Sequence, residues 1–252
     1  MRDPRSILIT GASSGIGEAL ALVYARPGIR LILSGRDSAR LAAVAAACGG
    51  RGASVRTEVI DVTDWAAMAR WIDQVDAESP LELVIANAGI SAGTFDGGES
   101  PDQVRAIFAT NLDGVLNTAL PAIPHLMRRG RGQIALMSSL ASFRGFPSAP
   151  AYCASKAAVR VWGEALRGEL QAHGVGVSVI CPGFVVSRMT AGNKFRMPFL
   201  MQADKAAEIV RRGLARNQAR IAFPWPMYAG AWLLGLLPPV LTDPFMRKLP
   251  KK

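Results

Sequence analysis

The sequence predicts an α/β fold: a doubly wound parallel sheet of about seven strands with helices on both faces. Three observations carry this expectation. Short, continuously apolar runs alternate with longer helical stretches along most of the chain. A glycine-rich turn joins the first apolar run to the first helix, and no repeat or low-complexity linker divides the sequence. Strands covered on both faces read as unbroken apolar runs, and their alternation with helices is the pattern of a parallel sheet.

The elements follow in order. Residues 6–10 form the first strand and run into Gly11-Ala12-Ser13-Ser14-Gly15-Ile16-Gly17; residues 18–26 then read as a helix stopped by Pro27 and Gly28. A second strand at 29–34 precedes an alanine- and leucine-rich helix at 37–48, ended by Gly49 and Gly50. The third strand is expected at 55–60, a helix at 64–75 and the fourth strand at 83–87. A long helix over 102–127, bent near Pro121 and Pro124, leads to a strand at 133–138. A helix at 152–173, a strand at 175–181, a helix at 205–216 and a strand at 219–223 complete the series. The expected organisation is one domain over 1–223, followed by a hydrophobic, proline-interrupted extension over 224–252 with a basic end.

Composition narrows the function classes. A chain of 252 residues can bury a substantial core, and 50% hydrophobic residues exclude a disordered chain. Three scattered cysteines exclude a disulfide framework. No run of eighteen apolar residues escapes proline or charge, so no conventional membrane span is expected. The polar lead Met1 to Arg5 lacks a secretory segment, which makes the reducing cytosol the expected compartment. Lysine and arginine number 29 against 19 acidic residues, a net charge of +10 that suits nucleic acid, an anionic membrane or a phosphorylated cofactor. The arginines are spread rather than gathered in an aromatic-interleaved stripe, so nucleic-acid binding is not expected. His125 and His173 pair with no acidic or cysteine cluster, so no metal site is expected.

The glycine run stands where a phosphate-binding turn belongs, after a strand and at a helix start. Glycine lets the backbone turn tightly and approach a pyrophosphate, which the helix N-terminus stabilises; a plain turn before a helix also uses glycine. Its spacing is TGxxxGxG from Thr10 to Gly17. Together with Asn87-Ala88-Gly89, Asn111, Ser139, Tyr152, Lys156 and Pro182-Gly183, this makes residues 5–223 resemble the compact single-domain branch of the short-chain dehydrogenase/reductase family.

That resemblance implies a Rossmann-type, nicotinamide-dependent oxidoreductase. Its cofactor contacts would be Gly11, Ser13, Ser14, Gly15, Ile16 and Gly17, then Asp61 and Val62 at the adenine. Asn87, Ala88, Gly89, Pro182, Gly183, Val185 and Ser187 would follow toward the nicotinamide, with Gly183 permitting close approach and Ser187 bonding the carboxamide. Asp61 reads equally as a plain loop residue before a helix, and Asn87 as a structural brace of the central strands. NAD-using relatives usually carry an aspartate at the end of the second strand; this chain has Gly35 and then Arg36. Lacking that carboxylate and offering a guanidinium fork, the site is expected to favour NADP(H) over NAD(H), with Ser13 or Ser14 adding a hydroxyl. Asp37 would compete only if it turned inward rather than capping its helix.

Tyr152 and Lys156 are four residues apart and share one helix face. A free phenol is a poor acid or base at neutral pH, and a nearby ammonium favours its ionised form. By resemblance, Tyr152 exchanges the proton, Lys156 tunes it and bonds the nicotinamide ribose, Ser139 holds the substrate oxygen, and Asn111 binds a water near the lysine. Ser138 is the confusable neighbour of Ser139, and a buried helix–helix bond is the alternative for Asn111.

The resemblance places the substrate between two apolar stretches. One contains Phe143, Phe146, Pro147 and Pro150; the other, a lid over about 188–203, contains Met189, Phe195, Met197, Phe199 and Met201. They suit a hydrophobic ketone or secondary alcohol, lipid-like ones included. Arg144, Lys194 and Arg196 are either surface residues or partners for an acidic headgroup. From Ile221 to Thr242 there is no charged side chain, and the prolines leave about eleven residues for an unbroken helix, too few to span a bilayer. This tail departs from many short relatives and looks like those whose C-terminal helices dip into a membrane. Residues 225–252 are therefore expected either to lie on an anionic membrane or to cover a pocket or dimer surface. Helices 102–127 and 152–173 resemble the family's dimerisation pair, implying a homodimer. Two other functions stay open: a non-catalytic NADP-binding scaffold, and a sugar-nucleotide epimerase or dehydratase, whose relatives are commonly longer.

Overall fold

A computed structural model describes residues 3–92, 98–193 and 195–246, apart from the side chain of Phe245. Lys194, Arg247, Lys248, Lys251 and Lys252 lie outside the described residues. Seven strands form one sheet: β1 (Ser6–Thr10), β2 (Arg30–Gly35), β3 (Ser54–Val59), β4 (Leu83–Ala86), β5 (Gly132–Met137), β6 (Val175–Pro182) and β7 (Arg220–Phe223). Their order is β3-β2-β1-β4-β5-β6-β7, and every pairing is parallel.

Both faces of the sheet are buried, which is why its strands are continuously apolar. Ile7, Ile9, Leu31 and Leu33 pack with α1 (Gly15–Tyr24), α2 (Ser38–Gly49) and α9 (Ala203–Ala215). Leu8, Ile32 and Val84 point the other way, against α3 (Trp65–Glu78). Farther along that face, Ile134, Leu136 and Val177 meet α7 (Pro150–Gln171). Local signals set the starts: Asp37 and Asp64 accept N-terminal N–H bonds of α2 and α3.

The chain winds outward in opposite directions from β1 and β4, so their carboxyl ends bound the crevice where ligands bind in such sheets. Side chains staple this crevice. The Thr10 hydroxyl accepts from the Asn87 and Ala88 amides at 3.1 and 3.3 Å, and Asn87 Nδ2 donates to the Thr10 and Gly11 carbonyls at 2.9 and 3.2 Å.

The expected helix over 102–127 is instead divided. It comprises α4 (Pro101–Phe108), a π-helical turn (Ala109–Asp113), α5 (Gly114–Ala119) and α6 (Ala122–Arg129). The break falls at Leu120 and Pro121, whereas Pro124 sits in the first turn of α6, where its missing N–H costs nothing. A short α8 (Arg188–Ala191) begins the lid stretch. The C-terminal extension folds as α10 (Trp225–Leu236), with Pro226 in its first turn, and α11 (Pro239–Met246). No described helix is long and apolar enough to cross a membrane.

Candidate active site

The turn after β1 can be built only with glycine at its key positions. Gly11 and Gly15 have φ of +66° and +60°, a region that penalises any Cβ. A Cβ on Gly11 would also lie 2.7 Å from the Ala88 Cα, and one on Gly17 would collide with the Gly11 carbonyl. Bare backbone is thus brought to the start of α1, where an anion is stabilised. Ser14 leads into α1 and its hydroxyl makes no capping bond. Ser13 lies against Gly35: a Cβ there would be 3.1 Å from its Oγ. Arg36 follows Gly35 into solvent, with 63% of its side chain exposed, and forms a 3.6 Å ion pair with Asp61. The turn, the hydroxyls and the guanidinium together fit a phosphate-bearing dinucleotide.

At the carboxyl end of β5 a second group of side chains converges. Ser138 Oγ donates to the Lys156 carbonyl at 2.8 Å, while Lys156 Nζ donates to the Met137 carbonyl at 2.8 Å. These reciprocal bonds fix α7 over the strand end. They also separate the two serines, since Ser138 is committed to the helix whereas the Ser139 hydroxyl accepts from Ala141 N at 3.1 Å, reaches the Pro182 carbonyl at 3.4 Å and lies near enough to Tyr152 to influence its phenol. Lys156 Nζ is 5.9 Å from the centroid of the Tyr152 ring. Asn111 is fully buried: its Oδ1 accepts from Ile90 N at 2.7 Å, and its Nδ2 donates to Ile90 O and Ser155 Oγ at 2.9 and 3.2 Å. A Cβ on Gly89 would lie 3.1 Å from Asn111 Oδ1 and 3.3 Å from Lys156 Nζ, so glycine keeps the three groups together.

Burial governs the titration of this cluster. It pushes the Tyr152 phenol above its usual range, and the nearby Ser139 hydroxyl pulls it part of the way back. Burial also draws the Lys156 ammonium down to about 8, against a weaker opposing pull from Cys181.

The family pattern of the short chain dehydrogenases matches residues 5–196. The chain belongs to the short-chain dehydrogenase/reductase family. A full-length relative, an uncharacterized oxidoreductase of Myxococcus xanthus, is 40% identical over 97% of this chain and 97% of its own. A short-chain dehydrogenase from Sphingobium yanoikuyae, solved in complex with NADPH, superposes with a TM-score of 0.82 at 26% identity, covering 97% and 96% of the two chains. A short chain dehydrogenase from Mycobacterium paratuberculosis bound to NAD gives 0.78 at 25% identity over 86% and 94%. Family membership makes the protein an oxidoreductase of the NAD(P)(H)-dependent class.

The remaining residues named from the sequence make definite contacts within the fold. Val62 is buried in the core beside Leu8 and Met68, and its methyl fills the space opposite Gly114. Asp61 turns Oδ1 to the amide and hydroxyl of Thr63, both at 2.9 Å, leaving Oδ2 to Arg36. Burial raises the Asp61 pKa, but the Thr63 bonds and Arg36 outweigh it and hold the carboxyl below its usual range. Ser187 caps α8 by accepting from Thr190 N, and Val185 is buried in a bridge to Met201. A Cβ on Gly183 would lie 3.1, 3.2 and 3.4 Å from the Pro224, Met227 and Leu140 side chains, so the C-terminal extension packs closely against it. Ile16 packs against the α1-side core, and Asp37 caps α2.

On the substrate side, Phe143 packs edge-on against Tyr228 of α10. Phe143, Phe146, Pro147 and Pro150 line a cavity of about 630 Å³ between α7 and the C-terminal helices. Arg144 donates to Thr242 Oγ1 and Asp243 Oδ1, each at 2.9 Å, and is not free for a headgroup. Neither the π turn holding Asn111 nor the Ser138–Lys156 bond has a signature in residue spacing.

The buried ammonium makes stability pH-dependent. The unfolded chain, with lysine near 10.4, binds this proton more tightly than the folded protein, whose value is about 8. Folding stability should therefore rise with pH between about 8 and 10 by on the order of 1–3 kcal/mol relative to Lys156→Met. Denaturant midpoints of the two cofactor-free proteins check this; a pH-independent difference contradicts the burial.

Proposed function

We propose that the protein is an NADP(H)-dependent oxidoreductase interconverting hydrophobic ketones and secondary alcohols, lipid-like ones among them. The observation that carries the reading is the convergence of Ser139, Tyr152, Lys156 and Asn111 at the end of β5, beside the glycine turn. The bound nicotinamide supplies the hydride chemistry. Tyr152, protonated at neutral pH, gives its proton to the carbonyl oxygen during reduction and takes it back during oxidation. Ser139 holds that oxygen as negative charge grows on it. Lys156 orients the ribose and favours the ionised phenol in the oxidative direction.

Exposed Val186, Met189, Phe199 and Leu200 on the lid stretch support a hydrophobic substrate over a small polar acid. The exposed, weakly held Arg36, with Ser13 beside it, supports NADP(H): an ion pair in solvent stabilises little, so the guanidinium is available to a 2′-phosphate. Leu120 and Val161, exposed at the α5–α6 turn and on α7, support a homodimer through these helices.

A panel of hydrophobic ketones should consume NADPH one for one with substrate. Tyr152→Phe should lower kcat by about 100- to 10,000-fold while NADPH still binds. No turnover with any ketone or alcohol and either cofactor would support the scaffold reading. Arg36→Ala should weaken NADPH about 10- to 100-fold and leave NADH nearly unchanged, as titration calorimetry can measure.

The outer side of the C-terminal helices supports a membrane contact. Trp225, Trp232, Leu233, Leu236, Val240 and Leu241 are exposed, in a stretch free of charge and followed by Arg247, Lys248, Lys251 and Lys252. Co-sedimentation with vesicles containing anionic phospholipid should retain the full chain and lose it in high salt; no sedimentation contradicts this assignment.

A further inference from the structure

Two guanidinium groups lie over the ring of Phe143. The Arg160 Cζ is 4.7 Å from the ring centroid and the Arg220 Cζ 5.2 Å. Tyr228 meets the same ring edge-on, 5.5 Å between centroids. Glu164 serves both arginines: its Oε2 is 3.2 Å from Arg160 Nη1, and its Oε1 accepts from Arg220 Nε at 3.0 Å and from Arg220 Nη2. Arg220 Nη1 donates to the Tyr228 hydroxyl at 3.1 Å. One carboxylate cannot neutralise two guanidiniums, and the negative face of the aromatic ring takes up the remainder.

The ring's place in the chain gives the cluster its meaning. Ser139 opens a 3₁₀ turn over Leu140–Ser142: its Oγ accepts from Ala141 N at 3.1 Å and its carbonyl from Ser142 N at 3.0 Å. Phe143 closes that turn by donating to the Leu140 carbonyl at 3.3 Å. Arg160 stands one helical turn beyond Lys156 on α7, and its Nη2 also reaches the Ser142 carbonyl at 3.4 Å. The far end of the serine's turn is thereby tied to the helix that carries Tyr152 and Lys156. The C-terminal helix completes the tie, for α10 supplies Tyr228, and a Cβ on Gly235 would lie 2.5 Å from the Phe143 carbonyl.

We propose that the Arg160–Phe143–Arg220 cluster is the positioning device for Ser139, clamping its turn to α7 and α10 so that the hydroxyl stays beside Tyr152. These three are positioning residues: they act through Ser139 and do not touch the reacting atoms. The inference rests on the reading of Ser139 as the group that holds the substrate oxygen. A hydroxyl that orients a reacting atom must be held to a fraction of an ångström, and a shift of about 1 Å costs up to about 100-fold in rate.

The test compares full-length Phe143→Leu, which keeps an apolar side chain but loses the ring, with Phe143→Tyr, which keeps the ring. In Phe143→Leu, amide exchange at residues 141–143 should accelerate about tenfold or more while the rest of the sheet stays protected. Its kcat should fall about 10- to 100-fold, with ketone KM and NADPH Kd within about twofold of wild type. The pH profile of alcohol oxidation should move upward, because the Ser139 hydroxyl that lowers the Tyr152 pKa is no longer held near the phenol. Phe143→Tyr should restore all three. Unchanged kcat in folded Phe143→Leu overturns the proposal, as does a loss accompanied by equal losses in cofactor binding and global protection. If wild type turns over nothing, the functional reading fails, and unchanged exchange at 141–143 separately overturns the clamp. Should Phe143→Leu not fold, Arg220→Lys, which keeps the charge but loses the fork to Glu164 and Tyr228, carries the same comparison.

Discussion

The candidate active site depends on two reciprocal hydrogen bonds between β5 and α7, from Ser138 Oγ to the Lys156 carbonyl and from Lys156 Nζ to the Met137 carbonyl. The second gives a partner to a buried ammonium that would otherwise carry a penalty of several kcal/mol. They also set the height and rotation of α7 on the sheet, and so the place of Tyr152 beside Ser139. Gly163 makes the close approach possible, since a Cβ there would lie 2.7 Å from the Leu136 and Val179 side chains. One helix thus carries its chemistry at its first turns and its anchoring along the next.

The sheet brings this helix to the nucleotide turn without further devices. Because β1 and β4 are neighbours while their connections leave in opposite directions, the Gly11–Gly17 turn and the Asn87–Gly89 loop emerge side by side. Thr10 and Asn87 lock the two loops together, and Gly89 lies against Asn111 and Lys156. The glycine turn and the Ser139, Tyr152 and Lys156 group are therefore joined through the paired strands β1, β4 and β5. The C-terminal extension adds a wall: its inner side packs on Leu140 and Phe143 and its outer side keeps two tryptophans in solvent.

The doubly wound parallel sheet, the approximate positions of its strands and the placing of Tyr152 and Lys156 on one helix were legible in the sequence, because apolar runs, glycine spacing and the Tyr152–Lys156 interval are local patterns. What escaped was set by tertiary contacts. Asn111 sits in a π turn that wins over regular helix because its side chain is bonded to both the amide and the carbonyl of Ile90, a partner twenty-one residues away. Phe143 lines the cavity as its apolar stretch suggests, but the arginines of α7 and β7 over its ring have no local signature. Val62 fills the space that Gly114 leaves in the core, a contact that residue spacing does not show. Arg144 is claimed by Asp243, ninety-nine residues on, which no local pattern announces.

The central claim is that the Tyr152 phenol meets the nicotinamide in the cleft pinned by Lys156. With only three tyrosines in the chain, ¹³C-tyrosine NMR can follow this phenol through a pH titration. In the protein alone it should titrate above the usual tyrosine range, because it is buried, and with NADP⁺ bound its pKa should fall as the cationic ring comes to lie beside it. A phenol that titrates at the same pH with and without the cofactor contradicts the account.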